Sequence, residues 1–164
     1  MSDTPRPPRN VTSVGALVVR DNALLVVRMT YGVSKGRYML PGGVLDPGET
    51  LDVAAAREVR EETGVEARPV GIVGVRTRYD GHNTDTYILW LLEHRSGEPA
   101  ADGHENDDAR YMPFGEIETR EDVVYLVKYL ARRLANGDIT AHRQVEDYAY
   151  QLPGSTPDSW KLFM

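Results

Sequence analysis

Three glutamates, Glu58, Glu61 and Glu62, are crowded into one short segment at a spacing that ordinary helix stability does not favour. At about 100° of rotation per residue, their side chains lie within an arc of about 100° on one side of a helix. Glu58 and Glu62 form a like-charge pair four residues apart, and all three lie where the helix dipole disfavours negative charge. Clustered carboxylates of this kind can hold a hard cation such as Mg²⁺ together with phosphate groups.

The element that must position these acids is a helix, which the sequence predicts from Leu51 to Thr63. Thr50 is expected to act as its N-cap, and Gly64 stands where a left-handed C-terminal cap is expected. The acids continue a stripe of small and apolar residues on the same helix, which is expected to face the protein core.

A solvated acidic face is the ordinary interpretation of a glutamate-rich helix. Two observations favour a binding site instead. The acids lie beside the apolar stripe, and Arg57 can pair forward with Glu61 while leaving Glu58 and Glu62 without a partner. A cation would supply the missing positive charge, and local rules that fail together tend to mark functional sites.

The spacing around these acids resembles a known signature. Gly43 is followed after five residues by Glu49 and after seven more by the run from Arg57 to Val65, which matches the Nudix hydrolase box at every defined position. Leu40-Pro41-Gly42-Gly43 before the box extends the resemblance, which covers roughly residues 11–134. It implies an α/β fold, an α/β/α sandwich with a mixed β-sheet between helices.

The resemblance also implies a chemistry, the hydrolysis of a phosphoanhydride bond with bound Mg²⁺, or alternatively Mn²⁺. It assigns metal binding to carboxylates and to one backbone carbonyl, and a catalytic role to Arg57 as the residue that orients a glutamate. Either Glu58 or Glu62 could also act as the base. Glu49 would bind metal through water or support Arg57, although an acid that stabilises the helix N-terminus is an equally good interpretation. The implied metal ligands are Gly42, Glu49, Glu58, Glu61 and Glu62.

Residues outside the box are weaker candidates. Some family members recruit a glutamate from a late loop as the base, so Glu105 is the catalytic candidate there, with Glu98 and Asp107 behind it. Several basic and aromatic residues could bind phosphates or stack on a base, although each alone could equally be an ordinary surface residue. The predicted substrate-binding residues are Arg28, Arg37, Tyr38, Arg78 and Tyr79, with Lys35 and His82 as further residues to test.

Composition excludes several other functions. The chain has 164 residues, a mass of 18.3 kDa and 41% hydrophobic residues, which suits one compact domain. It has no cysteine, so disulfides, thiolate metal sites and a cysteine nucleophile are excluded. A net charge of −6 argues against a broad interface with a nucleic acid polymer. The sequence shows no membrane span or signal peptide, so a cytoplasmic protein is expected.

The chain divides into three predicted parts: a disordered lead-in over residues 1–10, a Nudix domain over 11–138, and an extension over 139–164 that packs on the domain or on a second copy in a homodimer. A hairpin is predicted around Asp21-Asn22, with further strands over 69–78 and 84–93 and a polar, mobile loop over 96–108. Apolar residues at helical spacing predict a second main helix over 122–135 on the other side of the sheet. The extension carries four aromatic residues expected to dock, Tyr148, Tyr150, Trp160 and Phe163.

The predicted substrate is a nucleoside diphosphate linked to another group. A nucleoside triphosphate, a nucleotide sugar, ADP-ribose or a dinucleoside polyphosphate all fit. ADP-ribose hydrolases of this family often carry a proline some fifteen residues past the box, where this chain has Tyr79 and Asp80. The alternative function is a non-catalytic nucleotide-binding or sensing module, and retention of all the box acids favours hydrolysis.

Overall fold

A mixed β-sheet flanked by helices forms the body of the protein, as a computed structural model shows for residues 9–146 and 161–164. The strands are β1 (Asn10–Arg20), β2 (Ala23–Met29), β3 (Tyr38–Met39), β4 (Gly42–Val44), β5 (Glu66–Tyr79), β6 (Thr84–Ser96) and β7 (Asn106–Pro113). The helices are α1 (Leu51–Thr63), α2 (Phe114–Thr119) and α3 (Tyr125–Ala135).

The sheet is centred on β1. The main strand order is β3-β2-β1-β6-β5, with β4 paired to β1 and β7 paired to β2. The long pairing between β1 and β6 is parallel and the others are antiparallel. The predicted hairpin between β1 and β2 is present. Asp21 and Asn22 adopt φ angles of 51° and 59°, the left-handed backbone that a two-residue hairpin turn requires.

Each face of the sheet buries its own apolar cluster, because successive side chains on a strand point to opposite faces. Val14, Ala16 and Val18 of β1 pack with the small stripe of α1, whereas Leu17 packs on the opposite side with α2 and α3. The predicted sandwich of helices around a mixed sheet is therefore confirmed.

Three local predictions need correction. The loop predicted over 96–108 is shorter, because β7 begins at Asn106. Helix α2 is an additional element that the sequence does not predict. The second main helix begins at Tyr125 rather than at residue 122. The lead-in predicted over 1–10 is also too long at its end, since Asn10 starts β1 and the Arg9 amide donates to Asn83 Oδ1 at 3.1 Å.

The C-terminal part returns to the domain on the α1 side. Ile72 and His142 exchange two backbone hydrogen bonds of 2.9 and 2.8 Å. The Phe163 ring meets Trp90 edge-on, with ring centroids 4.8 Å apart. This packing is the docking predicted for Phe163, whereas Tyr148, Tyr150 and Trp160 lie outside the described residues. Within the described ranges, no helix is long and apolar enough to cross a membrane.

Candidate active site

Helix α1 begins and ends where the sequence predicts. Gly64 has a φ of 70° and its amide donates to the Arg60 carbonyl at 2.9 Å, which closes the helix with the expected left-handed cap. Thr50 has the extended backbone of an N-cap, but its hydroxyl donates to the Asp52 carboxylate at 2.7 Å and makes no capping bond. Lys161 also binds this pair, so the C-terminal segment is attached to the start of α1.

Two of the three clustered glutamates are buried. Glu58 is 9% exposed and Glu62 is 4% exposed, beside the apolar residues that α1 packs against the sheet. The backbone of β4 lies directly against both carboxylates. The Gly42 amide donates to Glu62 Oε2 at 3.2 Å, and a Cβ at Gly43 would lie 2.3 Å from Glu58 Oε1. Any side chain at position 43 would displace the Glu58 carboxylate, so this position requires glycine.

Arg57 is the centre of an ion-pair network. Its guanidinium donates to both oxygens of Glu49 at 2.7 and 3.1 Å, to Glu58 at 2.9 Å and to Glu61 at 3.2 Å. The expectation that Glu58 lacks a partner is therefore wrong, because the Arg57 side chain reaches its sequence neighbour as well as the next turn. The hydrogen bonds between Arg57 and Glu49 raise the pKa of Arg57 above its ordinary value and lower the pKa of Glu49. This geometry favours Glu49 as the support for Arg57.

Glu62 stands apart from this network. Among the described residues, the Gly42 amide is the one hydrogen-bond donor recorded for its carboxylate. Burial, reinforced by the charge of Glu58, raises the pKa of Glu62 to about 8. Burial also raises the pKa of Glu58, against the opposing effect of Arg57. Of the two buried glutamates, Glu58 therefore has a positively charged partner in Arg57, whereas Glu62 has none among the described residues.

Glu105 lies at the edge of the same cluster. After burial and the charges of nearer groups, the charge of Glu105 adds to the raised pKa of Glu58 and of Glu62. The Tyr31 hydroxyl donates to Glu105 Oε2 at 2.9 Å. The Asp102 carboxylate accepts the amides of His104, Glu105 and Asn106 at 2.8 to 3.0 Å, which fixes the loop that carries Glu105.

The two weaker acidic candidates are engaged elsewhere. Glu98 makes a two-bond pair with Arg20, at 2.8 and 2.9 Å. Asp107 binds Arg28 at 2.7 Å, so Arg28, a predicted substrate-binding residue, is paired within the protein. Glu61 has a side chain that is 53% exposed, so it lies at the outer side of the cluster.

The other predicted substrate-binding residues do not lie together in the structure. Tyr38 is 2% exposed and packs in the core, with its hydroxyl bound to Asp108, so the prediction that its ring stacks on a base is wrong. Tyr79 is 69% exposed, but its hydroxyl donates to Gly81 of its own loop at 2.8 Å. Arg37 is exposed, and Arg78 lines the cleft described next.

A cleft of about 740 Å³ opens beside the acids. Gly42 and Gly43 of β4 and the first turns of α3 are among the residues that line it. Most of its polar and aromatic lining could not be predicted from the sequence, because strand register and helix packing bring these residues together from distant parts of the chain. The missed residues are Ser13, Arg76, Asp85, Tyr87, Tyr125 and Tyr129.

The donor set fits a hard divalent cation. Glu58 and Glu62 offer carboxylate oxygens beside the Gly42 backbone, and Mg²⁺ is commonly held by one or two carboxylates together with substrate phosphates and water. Across the described residues, no three acidic or histidine side chains are already gathered as a closed metal cage. The arrangement therefore suits a cation shared with substrate better than a structural metal enclosed by protein ligands.

Comparison with known proteins identifies the class. A family model, described as the NUDIX domain, matches residues 9–133, and the chain belongs to this family. The NUDIX hydrolase from Nitrosomonas europaea has the same fold, with a TM-score of 0.71 at 22% identity, over 89% of this chain and 99% of that chain.

Curated relatives carry different activity names. The chain is 31% identical over 109 residues to the ADP-ribose pyrophosphatase of Methanocaldococcus jannaschii, over 64% of this chain and 61% of that protein. It is also 31% identical over 94 residues to the nucleoside triphosphatase NudI of an Enterobacter species, over 51% of this chain and 67% of that protein. The chain thus spans about three fifths of the archaeal relative.

Proposed function

We propose that this protein hydrolyses a phosphoanhydride bond in a nucleoside diphosphate derivative, with Mg²⁺ or Mn²⁺ bound at the acid cluster. The single observation that carries the proposal is the pair of buried glutamates, Glu58 and Glu62, which lies against the Gly42-Gly43 backbone, and this backbone lines a ligand-sized cleft. Glu58 is paired with Arg57, but the buried Glu62 carboxylate has no cationic partner among the described residues. A buried charge without a cation weakens folding, so Glu62 is better explained by binding than by stability.

The residues have distinct proposed roles. Glu58 and Glu62, with the Gly42 carbonyl and Glu61, hold the cation, which when bound neutralises phosphate charge and aligns the attacking water. Arg57 keeps the Glu58 carboxylate in place, and Glu49 fixes Arg57 through two hydrogen bonds. Glu105, at the cluster edge, is the proposed base that accepts the proton from water, and Glu58 or Glu62 is the alternative.

The proposed substrates are nucleoside triphosphates, nucleotide sugars, ADP-ribose and dinucleoside polyphosphates. The names of the relatives support this range, because one is an ADP-ribose pyrophosphatase and another a nucleoside triphosphatase. A non-catalytic nucleotide-binding module is the second candidate. The intact set of box acids favours hydrolysis, since a module that only binds would be free to lose a catalytic acid.

A phosphate-release screen over these substrates with Mg²⁺ or Mn²⁺ tests the proposal. We expect at least one substrate to turn over, and Glu62→Gln to lower kcat by about a hundredfold or more with an unchanged fold. Glu66→Gln, at an exposed position beyond α1, is the matched control and should keep wild-type activity. Normal turnover by Glu62→Gln would refute the assignment, and silence across the whole panel would favour the binding module.

A further inference from the structure

The C-terminal residues form a short two-sided ribbon beside β5, beyond the part of the chain that the family model matches. We call residues 142–145 and 161–164 the C-terminal ribbon. Arg143 and Met164 exchange two backbone hydrogen bonds of 2.8 and 3.0 Å, which join its two sides. The ribbon is therefore an addition to the family domain, held to the edge of the sheet by backbone pairing.

Lys161 connects this ribbon to the first turn of α1. Its ammonium group donates to the Asp52 carboxylate and, at 3.3 Å, to Thr50 Oγ, while the Thr50 hydroxyl donates to the same carboxylate at 2.7 Å. The Lys161 and Asp52 side chains are each 17% exposed, and Lys161 is the one cation paired with Asp52 among the described residues. Loss of either member would leave the other charge partly buried and uncompensated, so this contact matters more than an exposed ion pair does.

Thr50 also ends the loop over residues 45–50, which carries Glu49. Residues 46–48 of this loop are exposed, so side-chain packing does little to fix its middle. Lys161 holds the side chain of the residue directly after Glu49. The contact between the ribbon and α1 is therefore also a contact with the end of this loop.

Glu49 transmits the position of the loop to the acid cluster. Its two carboxylate oxygens accept hydrogen bonds from Arg57 at 2.7 and 3.1 Å, and Arg57 also donates to Glu58 at 2.9 Å. The Lys161 contact at Asp52 lies about 9 Å from Glu58 along the axis of α1, since each residue adds 1.5 Å. A shift of about 1 Å at a remote position can lower a reaction rate substantially, so a contact at this distance can affect the site.

We propose that Lys161 is a positioning residue for the acid cluster, because by holding the start of α1 it keeps Glu49 where its carboxylate fixes Arg57. Arg57 in turn holds Glu58. This inference rests on the proposed function, in which Glu58 holds the cation. The alternative is a purely structural tether, which would stabilise the fold without changing the cation site.

Hydrogen–deuterium exchange of the metal-free protein tests the positioning without any turnover. Lys161→Met removes the charge and keeps an unbranched side chain, whereas Lys161→Arg keeps the charge. We expect the amides of residues 45–54 to exchange about threefold or more faster in Lys161→Met, and at nearly wild-type rates in Lys161→Arg. Arg68→Met is the matched control, because it removes an ion pair of 2.7 Å with Glu93 and should leave exchange in this segment unchanged.

Mn²⁺ binding and kinetics connect this position to the site. Under conditions where urea unfolding shows every variant folded, Lys161→Met should weaken Mn²⁺ affinity and lower kcat about three- to tenfold at nearly constant KM. This loss is smaller than the roughly 10- to 100-fold typical of a residue that contacts a metal ligand directly. Lys161→Arg should restore most of it. Asp52→Asn should give a similar loss, and the double variant with Lys161→Met no more than either alone, because both changes break one contact.

Three results would overturn the inference. They are faster exchange confined to the ribbon, lower stability with unchanged Mn²⁺ affinity and kcat, and equal losses of affinity and kcat in Arg68→Met. Hydrolysis at the wild-type kcat by Lys161→Met refutes this inference alone. Faster exchange over residues 45–54 and weaker Mn²⁺ binding in Lys161→Met, together with no hydrolysis of any substrate by the wild type, refute the proposed function alone.

Discussion

Replacing Glu62 with glutamine should stabilise the metal-free protein at neutral and alkaline pH. Glu62 is 4% exposed, and burial together with the charge of Glu58 raises its pKa to about 8. The folded state therefore binds a proton more tightly than the unfolded state, whose carboxyl has the ordinary pKa of 4.5. Stability from this group is fully present below pH 4.5 and is lost as the pH rises to about 8, because over that window the folded state holds more protons.

The size of the effect follows from the same two values. At about 1.4 kcal/mol for each pH unit, the difference between 4.5 and about 8 corresponds to at most about 5 kcal/mol of unfolding free energy. Glutamine keeps the shape of the side chain and cannot ionise, so Glu62→Gln should be free of this loss. The gap between variant and wild type should be small near pH 4.5 and approach several kcal/mol by pH 8.

Urea unfolding in the presence of EDTA, followed at half-unit steps from pH 4.5 to 8.5, measures this gap. Glu66→Gln, an exposed change of the same chemistry, should follow the wild-type curve throughout. Parallel curves for wild type and Glu62→Gln across the whole range would refute the reasoning, because they would show that Glu62 ionises in the folded protein as easily as in water.

Three further predictions test individual contacts. Arg57→Ala should lower kcat or metal affinity by about 10- to 100-fold, as loss of a residue that orients a ligand does, and a pure loss of substrate affinity would contradict its role. Tyr31→Phe removes the hydroxyl that holds Glu105 and should lower kcat about two- to tenfold at constant KM, and an unchanged kcat would contradict Glu105 as the base. Phe163→Ala should cost about 1–3 kcal/mol in urea unfolding through its lost contact with Trp90, and unchanged stability would contradict docking of this segment.

The sequence predicts best what depends on local chemistry. The bounds of α1 are those expected from its start at Leu51 and from Gly64, because caps and helix formers act over a few residues. The like-charge pair of Glu58 and Glu62 also pointed correctly to the buried cluster. The ion pair between Arg57 and Glu58 could not be predicted in this way. Helix pairing rules concern residues three or four positions apart and do not describe a contact between adjacent residues.

Features that depend on distant pairing could not be predicted. Strand β7 is polar at its start and pairs with β2 across the chain, so its sequence resembles a loop. Asn106 is fully buried and its side-chain amide donates to the Glu62 carbonyl at 2.9 Å, a support for the cluster that no local pattern indicates. The sequence predicts Tyr38 as a residue that stacks on a base, and its burial could not be foreseen, because the two-residue strand β3 gives no periodicity from which to judge it.

Direct measurement of cation binding tests the central claim that a divalent ion completes the buried acid pair. Electron paramagnetic resonance can titrate free Mn²⁺ against the wild type, Glu58→Gln, Glu62→Gln and the control Glu66→Gln. We predict binding by the wild type and the control, and affinity about tenfold or more weaker in each variant of the pair, because each loses one carboxylate ligand. Equal Mn²⁺ binding by all four proteins would contradict the account.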